Sequence, residues 1–137
     1  MHNDTCINIE LSIVGDDFDI ELVSKELDIE PTEIKKKGEL LPNKKNRNIE
    51  TSWSFMTGLE KSLDVKTQLC KLMDIFYKKI DKLKEICLYF NTKVFVSILI
   101  IVKNQQTPSL HFRKEEILFF NEINAELDID IYIHDDD

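Results

Sequence analysis

Glycine, proline and cysteine are scarce in this sequence of 137 residues, which contains three of each. Scarce glycine and proline exclude long irregular or collagen-like segments, because these two residues are the strongest breakers of regular structure. The cysteines, Cys6, Cys70 and Cys87, form no CxxC pair and are odd in number. That pattern indicates free thiols in a reducing compartment and not a secreted disulfide framework. We therefore expect a cytoplasmic protein.

The sequence also lacks a long apolar run and a basic amino terminus. Its longest apolar run, residues 94–102, is interrupted by Ser97 and is far shorter than the roughly 20 residues of a membrane-spanning helix. The first four residues include no lysine or arginine and are not followed by an apolar stretch, so no signal peptide is expected. A membrane partner is not expected either.

Positive charge is in the minority, with 18 basic and 26 acidic residues and a formal net charge of −8. Binding to nucleic acid depends on clustered lysine and arginine, so we expect no nucleic-acid partner. Residues 35–47 are the exception, because they hold six basic residues and one acid, Glu39. We call this segment the basic loop. Its charge of +5 leaves −13 on the rest of the chain.

Motifs for catalysis, metal binding and phosphate binding are missing. The histidines, His2, His111 and His134, lie in separate segments without HxxxH or HExxH spacing, and the glycines stand singly. No nucleophile signature surrounds the cysteines. We expect no enzyme, no metal and no cofactor. An enzyme that uses dispersed carboxylates is a less favoured alternative.

Alternation of apolar and polar residues predicts several β-strands. The run at residues 94–102, rich in β-branched side chains, predicts a central strand covered on both faces. Trp53 is expected to face the core, and residues 32–48 are expected to form a loop. The predicted strands cover residues 6–14, 49–58, 94–102, 109–112 and 127–134.

Apolar residues spaced by threes and fours predict three helices, a short one after residue 19, a long one over 65–87 and one over 114–124. Asp19 and Asp64 are the expected N-caps of the first two. A break in the long helix is expected near Asp81. The third helix is expected to pack three side chains inward, namely Ile117, Phe120 and Ile123.

The order of these elements predicts a single α+β domain over residues 1–137, with one antiparallel or mixed sheet of four to five strands and three helices mainly on one face. Glu-Leu-Asp-Ile occurs at 26–29 and again at 126–129. This repeat favours two βαβ-like halves, as in a ferredoxin-like sandwich, joined by the long helix. Nearly all large apolar side chains are expected to be used in the interior.

Several short segments together resemble a known family. They are Gly-Asp-Asp-Phe-Asp at 15–19, Leu-Asp-Ile-Glu-Pro-Thr at 27–32, Lys-Gly-Glu at 37–39, Trp53 and Leu-Asp-Ile-Asp-Ile-Tyr at 127–132. In order and spacing they resemble the bacterial family called domain of unknown function 4279, over nearly the whole chain. The resemblance implies a small bacterial cytoplasmic α+β domain with no assigned activity. Small proteins of this kind often look like immunity partners of secreted toxins.

Acidic residues provide the first candidate site. The candidate partner-binding residues are Asp16, Asp17, Asp19, Asp128, Asp130 and Tyr132. An acidic face steers a basic partner towards it, whereas a solvated strand face is the plainer interpretation of Asp128 and Asp130, and no calcium-loop pattern surrounds them. We therefore expect a non-enzymatic protein-binding domain, an immunity-type inhibitor of a basic bacterial toxin, that is a monomer or weak dimer.

The basic loop provides the second candidate site. The candidate anion-binding residues are Lys35, Lys36, Lys37, Lys44, Lys45 and Arg47. Clustered positive charge can bind a phosphate or an acidic patch. The alternative function is a ligand-sensing or regulatory module that binds a small anionic metabolite near Trp53 and this loop. A mobile, solvated loop explains the same pattern without any ligand.

Overall fold

Residues 4–134, which the computed structural model describes, form one mixed β-sheet with helices on one face. The strands are β1 (Cys6–Gly15), β2 (Glu33–Lys35), β3 (Thr51–Met56), β4 (Glu60–Lys61), β5 (Lys93–Lys103) and β6 (Ala125–His134). The α-helices are α1 (Ile20–Leu27), α2 (Val65–Phe76), α3 (Ile80–Phe90) and α4 (Lys114–Glu122). The predicted α+β class is confirmed.

The sheet has the strand order β2-β3-β1-β5-β6, and the short β4 pairs with β1. Strand β1 is antiparallel to both β3 and β5, whereas β5 and β6 are parallel. A parallel pair needs a crossover connection, and α4 supplies it between β5 and β6. A mixed sheet is one of the two alternatives that the sequence predicts. With β2 and β4 it has six strands, where four to five were expected.

The two βαβ-like halves of a ferredoxin-like sandwich are not confirmed. In the first half, α1 is followed by β2 and the longer β3, and β3 lies antiparallel to β1. Within residues 4–134 only β5, α4 and β6 form a crossover unit with parallel strands. The two Glu-Leu-Asp-Ile segments differ as well, because the first ends α1, where Asp28 has a positive φ of 55°, and the second lies in β6. The repeat is therefore not a structural one.

The core lies between the sheet and the helices. Alternate residues of β1 and β5 are buried together with the inward faces of all four helices in one cluster. Trp53 is fully buried there, as predicted. No helix in residues 4–134 packs on the other face of the sheet, which we call the open face. On this face Phe95, Leu99 and Ile101 of β5 are only half-buried, so the prediction of a strand covered on both faces is wrong.

The long helix is confirmed, and it consists of α2 and α3 joined by a 3₁₀ turn at Tyr77–Lys79. The break was expected near Asp81, and it lies a few residues before that position. Both predicted N-caps are present. The Asp19 carboxylate accepts the Leu22 backbone N–H at 3.0 Å, and the Asp64 carboxylate accepts that of Lys66 at 3.0 Å. These bonds satisfy backbone donors that the helix itself leaves unpaired.

Four local expectations are wrong. Residues 33–35 lie within the segment expected to be a loop but form β2, which pairs with β3. Residues 109–112 form no strand, because Ser109 makes only an isolated bridge with Asp64. In α4 Phe120 and Ile123 are buried as predicted, but the third inward residue is Phe119, and Ile117 is 57% exposed. Strand β3 also begins at Thr51 and not at Ile49, whose side chain is exposed.

Candidate protein-interaction surface

Strand β6 forms one edge of the sheet and is exposed along almost its whole length. Of its ten residues only Ala125 is half-buried, and the others are exposed. One side of its backbone pairs with β5, and within residues 4–134 no strand pairs with the other side. An unpaired strand edge presents backbone donors and acceptors to any further strand. The edge at the other end of the sheet is β2, which has only three residues.

The helix side of β6 carries four apolar residues that we call the apolar row. They are in register with buried residues of β5, for example Ile129 with Ile98 and Ile131 with Ile100. Yet the helices do not cover them, so the expectation that nearly all large apolar side chains are used in the interior is wrong. The apolar row comprises Leu127, Ile129, Ile131 and Ile133, which are 41%, 37%, 52% and 69% exposed.

The open face of β6 carries a second set, which we call the acidic row: Glu126, Asp128, Asp130 and Tyr132. Alternate residues of a strand are about 7 Å apart, so the three carboxylates span about 13 Å. No ion pair between described residues involves any of them. Next to them on β5 lie the half-buried Phe95, Leu99 and Ile101. This part of the open face is therefore acidic at its edge and apolar beside it.

The acidic residues of the first loop lie in a different part of the molecule. Asp16 follows the end of β1 and pairs with the Lys37 ammonium at 2.6 Å, and Asp19 caps α1. Asp17 lies between them. Asp128 lies on β6, two strands away from β1. Across the sheet it is level with a residue of β1 that lies five residues before that strand ends. At about 3.4 Å per residue and about 4.8 Å between strands, the separation is about 20 Å.

The structure therefore places the six candidate partner-binding residues in two groups. Asp128, Asp130 and Tyr132 share the acidic row, and the residues from 16 to 19 form a separate loop. Glu126 joins the first group, although sequence reasoning did not select it. The alternation of residues 126, 128, 130 and 132 was the signal that could have identified it.

The basic loop forms an irregular hairpin. The Gly38 N–H donates to the Asn48 carbonyl at 2.9 Å, and the Leu41 N–H donates to the Asn46 carbonyl at 2.8 Å. At the tip the Asn43 side-chain oxygen accepts two further backbone N–H groups. These bonds fix the path of the backbone, so the loop is more ordered than its composition indicates.

Half of the basic side chains in this loop have partners within the chain. The partners are Glu33 for Lys35 at 3.4 Å, Asp16 for Lys37 at 2.6 Å and the Gly38 carbonyl for Arg47 at 2.7 Å. Lys44 and Lys45 lie at the tip of the hairpin, away from the first two pairs along the loop. Three of the six candidate anion-binding residues are therefore engaged in contacts within the chain, and two more lie at the tip.

The cleft beside Lys36 and Lys37 has a volume of about 320 Å³ and is a poor site for an anion. Its lining includes four acidic residues, Asp17, Asp19, Glu21 and Glu39. The lining thus holds four acidic and two basic side chains, an excess of negative charge that disfavours a negative ligand. Trp53 is fully buried, and its indole N–H donates to the Ser24 hydroxyl at 2.9 Å. A bound metabolite thus has no access to the ring.

A buried carboxylate, Glu116, escaped the sequence reasoning. It is fully buried at the start of α4, where the Arg113 Nε donates to both of its oxygens at 3.0 and 3.1 Å. Burial acts to raise the pKa of Glu116, but the bonds from the Arg113 side chain and backbone outweigh it, and the pKa lies below its ordinary value. The pair anchors the helix that leads into β6.

The titratable groups in the rest of residues 4–134 do not come together in a metal site. Among residues 4–134 no group of three or more His, Cys, Asp or Glu is arranged to hold a metal ion. Burial raises the pKa of the Cys6 and Cys87 thiols, which keeps both in the less reactive thiol form at neutral pH. No helix in this range is both long and apolar enough to cross a membrane.

A family model described as "Domain of unknown function (DUF4279)" matches residues 5–134. The chain belongs to this family. The match confirms the resemblance seen in the sequence, and it includes β1 and β6 along with everything between them. No curated protein and no solved structure matches the chain. Because the DUF4279 description names no activity, the geometry of the chain has to carry any functional argument.

Proposed function

We propose that this DUF4279 domain is a non-enzymatic protein-binding domain, an immunity-type inhibitor that meets a basic partner protein through its acidic row. The observation that carries the proposal is the row itself. Three carboxylates stand about 7 Å apart on an exposed edge strand, with no ion pair to any described cation. Two of the three other candidate acids, Asp16 and Asp19, already have partners within the fold.

The neighbouring strand gives this surface the composition of a docking site. Protein interfaces combine an apolar centre with a polar rim, and tyrosine is enriched at their energetic centres. Here Phe95, Leu99 and Ile101 supply half-buried apolar surface beside the carboxylates, and Tyr132 lies opposite Ile101. A partner with lysine or arginine around an apolar patch fits this arrangement.

The electrostatics favour a fast, salt-sensitive association. Complementary charge raises the rate of encounter, and salt screens it over about 8 Å at physiological ionic strength. The acidic loop is a weaker candidate for the same role. Asp16 is paired with Lys37 and Asp19 caps α1, so a partner would have to displace existing interactions there.

The test begins with the product of the neighbouring gene, or with a protein captured from the native cell, measured against the full chain by calorimetry and stopped flow. In Asp128→Asn/Asp130→Asn we expect the association rate at low salt to fall about tenfold, because two attractive charges are removed from the contact. Asp16→Asn/Asp17→Asn is the matched control. It changes the net charge equally and should leave the rate within about twofold.

Two outcomes contradict the proposal. If both variants slow association to the same extent, net charge matters and the acidic row does not. If no candidate partner binds at low salt, where the attraction is strongest, the protein-binding role through this surface is wrong.

A further inference from the structure

The free edge of β6 is complementary to itself. We infer that two copies of the chain pair their β6 strands edge to edge and antiparallel, forming a two-fold symmetric dimer with one continuous sheet. The inference goes beyond the proposed function and does not rest on it, because the acidic row stays accessible on the open face. In such a dimer the two acidic rows lie side by side.

The first observation is that β6 lacks most of the features that keep edge strands apart, its three carboxylates being the exception. Proteins usually protect an edge by making it short, by adding lysine or proline, by a bulge, or by a charge pointing towards the core side. Strand β6 has ten residues, no lysine and no proline, and its acidic side chains all point to the open face. The β2 edge differs, since it has three residues and carries Glu33 and Lys35.

The second observation is that symmetry matches the apolar row with itself. Residues directly opposite in an antiparallel pair lie on the same face of the sheet. A two-fold axis at any residue of β6 therefore places apolar row against apolar row and acidic row against acidic row. Large side chains that are 37–69% exposed in one copy are covered by the same residues of the other.

The third observation is that like charge among residues 128–134 disfavours the registers centred on Ile129 and Asp130. With the axis at Ile129, Asp128 lies opposite Asp130 of the other copy, and this clash occurs twice. With the axis at Asp130, the Asp130 side chains of the two copies lie opposite each other. With the axis at Ile131, no acid lies directly opposite an acid among residues 128–134. Like charges directly opposite each other are destabilising.

The register centred on Ile131 also supplies favourable pairs. Asp128 lies opposite His134 of the second copy, Asp130 lies opposite Tyr132, and Ile129 lies opposite Ile133. Placing the axis further along, at Tyr132, pairs only residues 130–134 of those described and leaves Ile129 without an apolar neighbour. Leu127 has no apolar neighbour among the described residues in this alignment, so charge decides the register and apolar contact does not.

Analytical ultracentrifugation of the full chain over a range of concentrations tests the dimer. We expect the wild type to be dimeric at about 100 μM and Ile131→Lys to be monomeric, because the lysine would be desolvated opposite a second lysine. Ile117→Lys is the control, since Ile117 is equally exposed but lies on α4. Circular dichroism verifies that both variants are folded. A monomeric wild type throughout this range, or equal dimerisation of Ile131→Lys, overturns the inference.

Disulfide trapping tests the register. In Ile131→Cys the two new thiols face each other across the axis, so mild oxidation should yield a peptide in which position 131 of one copy is linked to position 131 of the other, detected by mass spectrometry. Ile129→Cys alone should not link to itself, whereas Ile129→Cys/Ile133→Cys should link position 129 to position 133. Self-linkage of Ile129→Cys in preference to Ile131→Cys overturns the register. The Asp128→Asn/Asp130→Asn variant should remain dimeric, which separates this inference from the proposed function.

Discussion

Replacing Ser24 by alanine tests how tightly the position of Trp53 is fixed. The Trp53 indole is fully buried, and its Nε1 donates to the Ser24 hydroxyl at 2.9 Å. The ring also packs edge-on against Phe76, with centroids 6.4 Å apart. Ser24→Ala removes the acceptor but leaves the indole N–H in the core. A buried donor without a partner costs about 2 kcal/mol, so the free energy of unfolding should fall by about that amount.

Trp53→Phe removes the donor. It should lower the free energy of unfolding by about 2 kcal/mol, of which about 1 is the lost hydrogen bond and about 1 is the space left by the smaller ring. In that background Ser24→Ala should cost little, because Ser24 is only half-buried and its hydroxyl can be hydrated. The two substitutions should therefore be non-additive by about 1–2 kcal/mol.

Urea unfolding, monitored by far-ultraviolet circular dichroism, measures the free energy of unfolding of the wild type, the two single variants and the double variant. Circular dichroism is preferable to fluorescence because Trp53 is the one tryptophan in the sequence. If the effects of the two substitutions add to within about 0.3 kcal/mol, the bond does not hold the ring and the reasoning is refuted.

Two further predictions concern stability. The pKa of Glu116 lies below its ordinary value, so its stabilising effect is complete above about pH 4.5 and is lost as the pH falls through the unfolded and then the folded pKa. In urea titrations the advantage of wild type over Glu116→Gln should shrink below pH 4.5, and a constant difference would contradict this. Gly15→Ala should destabilise by about 1–2 kcal/mol, because its Cβ would lie 2.7 Å from the Thr92 Cγ2. Thr92→Ser removes that methyl group and should recover part of the loss in thermal unfolding, and no recovery would place the strain elsewhere.

The sequence predicts the elements of this fold because their signals are local. The alternation in β1 and β6 and the three-four spacing in α2 and α3 each arise from one buried face, and both aspartate N-caps were identified from type and position. Strand β2 escaped because three residues are too few to show a period. Its pairing with β3 is a long-range contact that leaves no local pattern.

The arrangement of the elements was less predictable, for a physical reason. Alternation shows that a strand has two different faces, but it does not show what covers the apolar one. The same pattern occurs in β1, which is buried under helices, and in β6, whose apolar row is exposed. For the same reason the sequence identified Asp128 and Asp130 as candidates but did not show how far they lie from Asp16.

The position of β1 in the middle of the sheet constrains how the polypeptide acquires its structure during synthesis. Its side chains leave the ribosome before those of β5, which pairs with one of its sides and follows about 85 residues later, with Leu11 opposite Val96. Closing so long a loop carries an entropic penalty that local contacts do not repay. We therefore expect the nascent chain to keep one edge of this aggregation-prone apolar strand unpaired until β5 has emerged, and to depend on chaperones that shield such segments meanwhile.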